Sequence, residues 1–155
     1  MNLIANNLSM SFDDAGEIVN VFADVNLELE PGTSLAIVGN SGIGKTTLLS
    51  ILGGLEKPIT GSAKIGEDDC FRGDSDPVFR AKNFGFVFQS HNLLSDFTAL
   101  ENVMIPLLIL GQGVEEAKKE AQSLLDKVGL SQRQQHKTLL SVSYTHLTLP
   151  TILLV

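Results

Sequence analysis

The chain has 155 residues, of which 43 % are hydrophobic and 19 % are charged, as is ordinary for one globular domain with a hydrophobic core. The net charge is −7 and the sequence contains no basic run. This composition argues against nucleic acid as a main partner, because phosphate backbones are bound by clustered Lys and Arg.

The first third of the chain contains three strand patterns and one helix pattern. Leu3–Ala5 and Val25–Leu29 are predicted strands, and the second alternates between apolar and polar residues. Pro31-Gly32 predicts a turn into Ser34–Val38, which has the apolar, branched composition of a buried strand. A helix is predicted over Lys45–Leu55.

The middle of the chain predicts two further strands and a short helix. Ser62–Ile65 is a short strand, and Asp76 followed by Pro77 is typical of a helix start, with the helix running to about Lys82. Phe84–Phe88 is a predicted strand of aromatic and branched residues.

Two helices are predicted in the last third. Thr98 and Glu101 have the spacing of a capping box, so a helix should begin there and run towards Leu110. We interpret Glu101 as part of this cap and not as a catalytic acid. A second helix should pack through one apolar face, formed by Val114, Ala117, Ala121, Leu124, Leu125 and Val128.

The lack of a signal-peptide pattern and the presence of a single cysteine favour a reducing compartment. The N-terminus lacks the basic and long apolar regions of a signal peptide, and no apolar run is long enough to cross a bilayer. The single cysteine, Cys70, stands in a polar, Gly/Asp-rich stretch and is interpreted as an incidental free thiol.

The most specific motif is a phosphate-binding loop between the predicted strand at 34–38 and the helix that follows it. It fits G-x-x-x-x-G-K-[ST] at every defined position. A match to this pattern in a chain of this length arises by chance roughly once in two hundred sequences. The motif and the threonine after it comprise Gly39, Asn40, Ser41, Gly42, Ile43, Gly44, Lys45, Thr46 and Thr47.

The residue types of this loop suit the phosphates of a nucleotide. Glycines allow left-handed backbone angles and close approach of N–H groups to an anion at a helix N-terminus. Lys45 should contact the β- and γ-phosphates, and the Thr46 hydroxyl should bind Mg²⁺. Thr47 should hydrogen-bond near the α-phosphate. The loop alone does not identify the base.

From about Leu3 to Ser141 the chain resembles the ATPase subunits of ABC transporters. The segments that resemble the bacterial lipoprotein-releasing ATPases most closely are 52–56 (LGGLE), 92–103 (NLLSDFTALENV) and 104–108 (MIPLL). The macrolide-exporter ATPases share much of this pattern. The resemblance implies an α/β fold of the P-loop ABC ATPase type. N-terminal antiparallel strands should be joined by part of a parallel core sheet and by the start of the helical subdomain.

The resemblance also implies roles for single residues. Phe12 corresponds to the aromatic residue that stacks on adenine, so the expected ligands are ATP and Mg²⁺. Gln89 corresponds to a glutamine that contacts Mg²⁺ and the attacking water, and is a catalytic candidate with Lys45. His91 fits the subfamily pattern, although a surface-loop histidine is an equal interpretation.

Partners are implied as well. Transmembrane permease subunits should dock near Gln89–Val103, where Leu93, Leu94 and Phe97 form either an exposed apolar cluster or part of the domain core. The intact protein should form a homodimer of ATPase subunits on the cytoplasmic face of the bacterial inner membrane.

The resemblance stops at Leu140-Ser141, where the family continues into its signature sequence, second acidic motif, catalytic glutamate and switch histidine. None of these follows here. We expect residues 1–141 to be the N-terminal part of an ABC-type nucleotide-binding domain, with about 84–141 entering the helical subdomain. Residues 142–155 resemble translated sequencing-adapter sequence, and the alternative is a genuine divergent terminus.

Three other functions stay open. The 155 residues themselves lack the hydrolytic motifs and favour a nucleotide-binding module without turnover. A different P-loop enzyme, such as a small kinase or a GTPase, is a rival, although the guanine-specific Asn-Lys-x-Asp segment is absent. An ABC protein of DNA repair or translation is another, and the acidic balance speaks against it.

Overall fold

The computed structural model describes residues 1–71, 76–88 and 92–137, which divide into two compact units, one up to Phe84 and one from Gly85. The first unit contains strands β1 (Leu3–Asp14), β2 (Glu17–Leu29), β3 (Thr60–Ile65) and β4 (Asp68–Asp69) and helices α1 (Lys45–Leu52) and α2 (Pro77–Asn83). The second contains α3 (Ala99–Ile109), α4 (Val114–Lys127) and a 3₁₀ turn at Ser131–Arg133. Within the described residues, no helix has both the length and the apolar character needed to cross a bilayer.

The strands of the first unit form one antiparallel sheet in the order β2-β1-β3-β4. β1 and β2 are longer than predicted because they are joined as one hairpin. The two residues of its turn, Ala15 and Gly16, have φ of 54° and 94°. Positive φ at both turn positions matches the right-handed twist of the paired strands. Alanine rarely adopts such an angle, so the sequence signal for this hairpin was weak.

A β-bulge in β1 determines which residues enter the core. Leu3 and Ala5 are buried, and the alternation then shifts by one so that Leu8 and Met10 are buried. The shift occurs at Asn7, whose φ is 49° and whose N–H donates to Asn26 Oδ1 over 2.9 Å. The extra residue of a bulge changes the face to which later side chains point.

The core of the first unit lies between the sheet and the helices. α1 contributes Leu48, Ile51 and Leu52, and α2 contributes Phe79. α1 ends earlier than predicted, at Leu52. Gly54 with φ 68° donates to Ile51 O, and Leu55 donates to Ser50 O over 2.9 Å. This is the Schellman pattern that terminates a helix at a glycine.

Two predicted strands do not form. Residues 34–38 and 84–88 are in neither helix nor strand, and the side chains of Leu35 and Val38 are 51 % and 86 % exposed. An extended segment becomes a strand only when a neighbour accepts and donates its backbone hydrogen bonds. No described strand pairs with either segment. The predicted part of a parallel core sheet is therefore absent from the described residues.

Cys70 is buried, although the residues around it in the sequence are polar. Its side chain is 5 % exposed and belongs to the core of the first unit, where it is a free thiol. Burial, with a smaller contribution from the Asp69 charge, raises its pKa to about 11. The charged thiolate is disfavoured in these apolar surroundings, so the thiol is held in its neutral form.

The second unit packs α3 against α4. Leu100 and Met104 of α3 contact a stripe of Ala117, Ala121 and Leu125 on α4. The apolar face predicted for α4 is too wide, because the side chains of Val114, Leu124 and Val128 are 62 %, 41 % and 57 % exposed. The buried residues of α4 are Ala117, Ala121 and Leu125.

Both predicted helix starts are confirmed. Asp76 accepts a hydrogen bond from Phe79 N–H at the start of α2, with Pro77 at the first helical position. At the start of α3, Thr98 Oγ1 accepts from Glu101 N–H, and the Glu101 carboxylate accepts from Thr98 N–H. Glu101 is therefore engaged in the cap, as predicted.

Candidate functional site

The predicted phosphate-binding loop leads directly into α1. Gly39, Gly42 and Gly44 all have positive φ, at 155°, 82° and 94°. Side-chain-bearing residues adopt these angles only with strain, so the path of the loop depends on its glycines. Gly44 is the N-cap residue, and the first helical hydrogen bond runs from Leu48 N–H to its carbonyl oxygen over 2.9 Å.

The β1–β2 hairpin supports the loop from one side. A Cβ atom on Gly44 would overlap Val21 Cγ1 and would lie 3.4 Å from Phe22 Cδ1. Val21 is the extra residue of a bulge in β2, between the pairs Met10–Phe22 and Ser11–Asn20. No sequence pattern predicts this contact, because it depends on a change of strand register and on the absence of a side chain at position 44.

Lys45 folds back over the loop that precedes it. Its Nζ donates to the carbonyl oxygens of Gly39 over 2.9 Å and of Asn40 over 2.6 Å. An ammonium group has three N–H donors, so these two bonds leave one donor for an anion. These bonds hold the positive charge of Lys45 beside the backbone of Gly39 and Asn40.

The N-terminus of α1 differs from those of the other described α-helices. α2 and α3 have side-chain caps, and α4, which has none, carries Glu115 and Glu116 in its first turn. α1 has neither a side-chain cap nor an acidic residue there. Among the described residues, the start of α1 thus has neither a capping side chain nor a first-turn carboxylate to balance its N–H groups and the positive end of its dipole.

These features fit a bound phosphate group. The N–H groups of the first turn, the glycine backbone and the Lys45 ammonium are all donors or positive partial charges. Thr46 is exposed at this turn and Thr47 is half-buried, while Ser41 and Ile43 are exposed in the loop.

The first turn of α1 also offers one protein ligand for magnesium. Mg²⁺ uses one or two protein ligands and completes its shell with water and substrate phosphates. The Thr46 hydroxyl is a ligand of this kind. Across the part of the chain that the structure describes, no group of three or more His, Cys, Asp or Glu residues forms a metal site. Gln89 and His91 lie outside the described residues.

Phe12 lies near the tip of the hairpin that supports the loop. It pairs with Val19 across β1 and β2, and its side chain is 43 % exposed. Residues paired across two antiparallel strands project from the same face, so Phe12 and Val19 form one apolar surface there. An exposed ring of this kind is available for stacking.

The segment before α3 exposes its apolar side chains, which decides between the two predicted alternatives. Leu93 and Leu94 are each 50 % exposed and Phe97 is 42 % exposed. Phe97 N–H donates to Leu94 O over 3.2 Å, which closes a turn with Ser95 and Asp96 at its corner. We call residues 93–97 the apolar loop.

Comparison with known proteins relates the chain to one family. The family model described as ABC transporter matches residues 22–148. The lipoprotein-releasing system ATP-binding protein LolD of Saccharophagus degradans is 47 % identical over 137 residues, which cover 84 % of this chain and 58 % of that protein. LolD 1 of Rhodopirellula baltica is 46 % identical over 136 residues, covering 86 % and 59 %.

Solved structures give the same relationship. The dimeric, post-hydrolysis structure of the ATP-binding cassette MJ0796 with ADP and Pi superimposes with a TM-score of 0.78 at 34 % identity, covering 87 % of this chain and 61 % of that one. A second dimeric structure of MJ0796, described as a bacterial ABC transporter cassette, gives a TM-score of 0.79 at 35 % identity.

The chain spans between 58 % and 61 % of the length of these relatives. The family match covers the phosphate-binding loop, α1 and the α3–α4 pair. On the strength of this match, the chain belongs to the ABC transporter family.

Proposed function

We propose that the chain is the ATP-binding part of an ABC transporter ATPase subunit that couples MgATP binding and hydrolysis to transport. The observation that carries this proposal is the start of α1, where a glycine loop, the Lys45 ammonium and uncapped helix donors converge. Family membership implies nucleotide binding, and this is where the described chain offers donors for its phosphates.

The residues of the site have different chemical roles in this proposal. The backbone of Gly39–Thr47 binds the phosphates, and Lys45 balances the negative charge on the β- and γ-phosphates. Thr46 and Gln89 hold Mg²⁺, which would neutralise charge developing on the phosphate oxygens. Gln89 also orients the attacking water, and Phe12 stacks on adenine through its exposed ring.

Domain organisation follows the same proposal. Residues 1–141 are the N-terminal part of the nucleotide-binding domain, with about 84–141 entering its helical subdomain. Residues 142–155 are a non-native tail that lies outside the described residues, and Tyr144 and His146 receive no role. Because the family's signature and catalytic glutamate do not follow Ser141, the 155 residues alone should bind nucleotide without turnover.

Lipoprotein release is the transport process that the relatives favour. The two curated relatives described above are named for the lipoprotein-releasing system, and both align with more than four fifths of this chain. This supports lipoprotein release from the inner membrane over the macrolide-exporter alternative. The subunit would act on the cytoplasmic face of that membrane.

Two kinds of partner follow. Transmembrane permease subunits dock near Gln89–Val103, and the exposure of Leu93, Leu94 and Phe97 supports an apolar contact there. A second ATPase subunit completes the nucleotide site by dimerisation, as the dimeric structures of the related cassette suggest.

A binding titration tests the nucleotide site. Isothermal titration of the 155-residue chain with MgATP should give one site, and Lys45→Met should weaken it at least tenfold, since a charge-assisted hydrogen bond contributes about 1.5–3 kcal/mol. Lys118→Met, which removes an exposed lysine from α4, is the charge-matched control and should leave affinity unchanged. Equal affinity of the Lys45 and Lys118 variants would rule out the proposed site.

A further inference from the structure

The side chain of Asn102, on α3, makes four hydrogen bonds to the backbone of three preceding residues. Its Oδ1 accepts from Leu94 N–H over 2.9 Å, and its Nδ2 donates to Leu94 O over 3.1 Å. The same Nδ2 also donates to Thr98 O over 2.9 Å and to Phe97 O over 3.4 Å. One amide thus satisfies both backbone groups of Leu94 and reaches the far end of the apolar loop.

These bonds fix the shape of the apolar loop. The hydrogen bond from Phe97 N–H to Leu94 O closes the turn, which contains no proline to restrict its backbone. Leu94 and Phe97 stand at its two ends, which a turn brings within about 7 Å. Asn102 ties both ends to the same helix, so the two exposed side chains keep a constant spacing.

The helix that carries Asn102 is itself well anchored. Ala99 N–H donates to His136 O over 3.0 Å and Leu100 N–H donates to Gln134 O over 2.9 Å. Thr98 and Glu101 close the capping box. The backbone donors of the first turn of α3 are therefore satisfied without Asn102, whose side chain is left to bind the loop.

We propose that Asn102 is a positioning residue, which holds the apolar loop in the shape that its membrane partner binds. This inference rests on the proposed docking of permease subunits at Gln89–Val103. A loop ordered before binding loses less conformational entropy in the complex than a mobile one, so its affinity is higher for the same contacts. Asn102 acts through the loop backbone and need not touch the partner.

The rival explanation is that Asn102 only stabilises the second unit. Thr98→Ala separates the two, because it removes the capping hydroxyl of α3 and leaves the Asn102 side chain in place. Asn102→Asp is the isosteric variant. It keeps an oxygen for Leu94 N–H but sets a carboxylate against the carbonyl oxygens of Leu94 and Thr98. Asn102→Ala removes all of the side-chain bonds.

The experiment measures binding of the 155-residue chain to the permease subunits of a bacterial lipoprotein-releasing system, purified in detergent. Dissociation constants come from biolayer interferometry, and the melting temperature and MgATP affinity of each variant are recorded. We expect Asn102→Ala and Asn102→Asp to bind permease about tenfold more weakly. MgATP affinity should not change. Thr98→Ala should lower the melting temperature about as much as the Asn102 substitutions do. It should nevertheless bind permease within about threefold of the unsubstituted chain.

Hydrogen exchange at the Leu94 amide gives a second measurement on the same proteins. It should accelerate in Asn102→Ala and stay slow in Thr98→Ala. Unchanged permease binding by both Asn102 variants would overturn the inference and leave the docking proposal intact, as would a loss in Thr98→Ala equal to theirs. If the unsubstituted chain does not bind permease, the docking proposal fails, and the inference fails with it.

Discussion

Gly44 and Val21 lie so close together that no side chain fits between them. Gly44 is the N-cap residue of α1 within the phosphate-binding motif, and Val21 is a bulged residue of β2. The backbone of the loop therefore packs against the Val21 side chain. Glycine is required at position 44 by this contact and by the φ of 94°.

Gly44→Ala should abolish nucleotide binding and lower stability. The left-handed angle costs about 1–2 kcal/mol and the overlap with Val21 adds about 1–3 kcal/mol. Gly16→Ala is the matched control, because Gly16 also has φ 94° but has nothing within 4 Å of its Cβ position. Urea unfolding and MgATP titration of both variants, and of Gly44→Ala with Val21→Ala, measure the two effects. If Gly44→Ala and Gly16→Ala are equally destabilised, the contact with Val21 has no energetic role.

The capping box of α3 should make stability depend on pH. The pKa of Glu101 is lowered from its ordinary value of 4.5, first by the hydrogen bond from Thr98 N–H, then by the Thr98 hydroxyl. A lowered pKa in the folded state means that the ionised form stabilises the fold above pH 4.5. This contribution is lost as pH falls through the lowered value.

Glu101→Gln removes the titration, so its melting temperature should fall below that of the unsubstituted chain at pH 7 and approach it at pH 3. Glu116→Gln, in the first turn of α4 where no capping box exists, controls for loss of an acidic residue near a helix N-terminus. Thr98→Ala should cost about 1 kcal/mol at neutral pH. A constant difference between Glu101→Gln and the unsubstituted chain from pH 3 to pH 7 would contradict the assignment.

Cys70 should be unreactive until the first unit unfolds. With a pKa of about 11 against an ordinary 9.0, the thiolate fraction at pH 8 is about a hundredfold below that of an exposed cysteine. Labelling by iodoacetamide should be slow in buffer and fast in about 8 M urea, which unfolds the chain. Rapid native labelling would show that the thiol is accessible.

The raised pKa of Cys70 also predicts a loss of stability in alkali. The neutral thiol stabilises the fold below the ordinary pKa of 9.0, and this contribution disappears as pH rises towards 11. Cys70→Ala should remove the effect at the cost of a small cavity. Cys70→Ser should destabilise more, because it buries a hydroxyl among apolar side chains.

Residues 34–38 should limit solubility. An apolar segment without strand partners is prone to pair with another chain, and Val38 is 86 % exposed. We expect Val38→Lys to raise the soluble yield of the 155-residue chain. Asn20→Lys adds the same charge on exposed β2 and should not. Light scattering during purification distinguishes them, and equal aggregation of Val38→Lys and the unsubstituted chain would contradict the prediction.

Local signals in the sequence predicted the helix starts well and the sheet only in part. Asp76-Pro77 and the Thr98–Glu101 pair are complete within four residues, and both caps form as expected. The strand at 34–38 was predicted from an apolar pattern alone. A strand also needs partners, which a local pattern does not supply, and the described residues contain none for it.

In the candidate site, too, local features were predicted from the sequence and contacts between distant residues were not. The phosphate-binding loop follows from a local motif, and its glycines adopt the backbone angles that such a loop requires. Two other contributions depend on distant residues. Val21 reaches Gly44 only because of the register shift in the hairpin, and Asn102 reaches Leu94 only because the loop turns back onto α3.

The uncapped start of α1 makes this helix unusually dependent on its surroundings. A helix of eight residues is too short to persist in water through its own hydrogen bonds, and α1 is held mainly by the burial of Leu48, Ile51 and Leu52. A phosphate bound at Gly44 would accept hydrogen bonds from the first turn of α1, as the Thr98 hydroxyl does at the start of α3. Nucleotide occupancy and the order of the first turn of α1 would then be a single equilibrium, so ADP release should fray the helix from Lys45 while its buried C-terminal half stays folded.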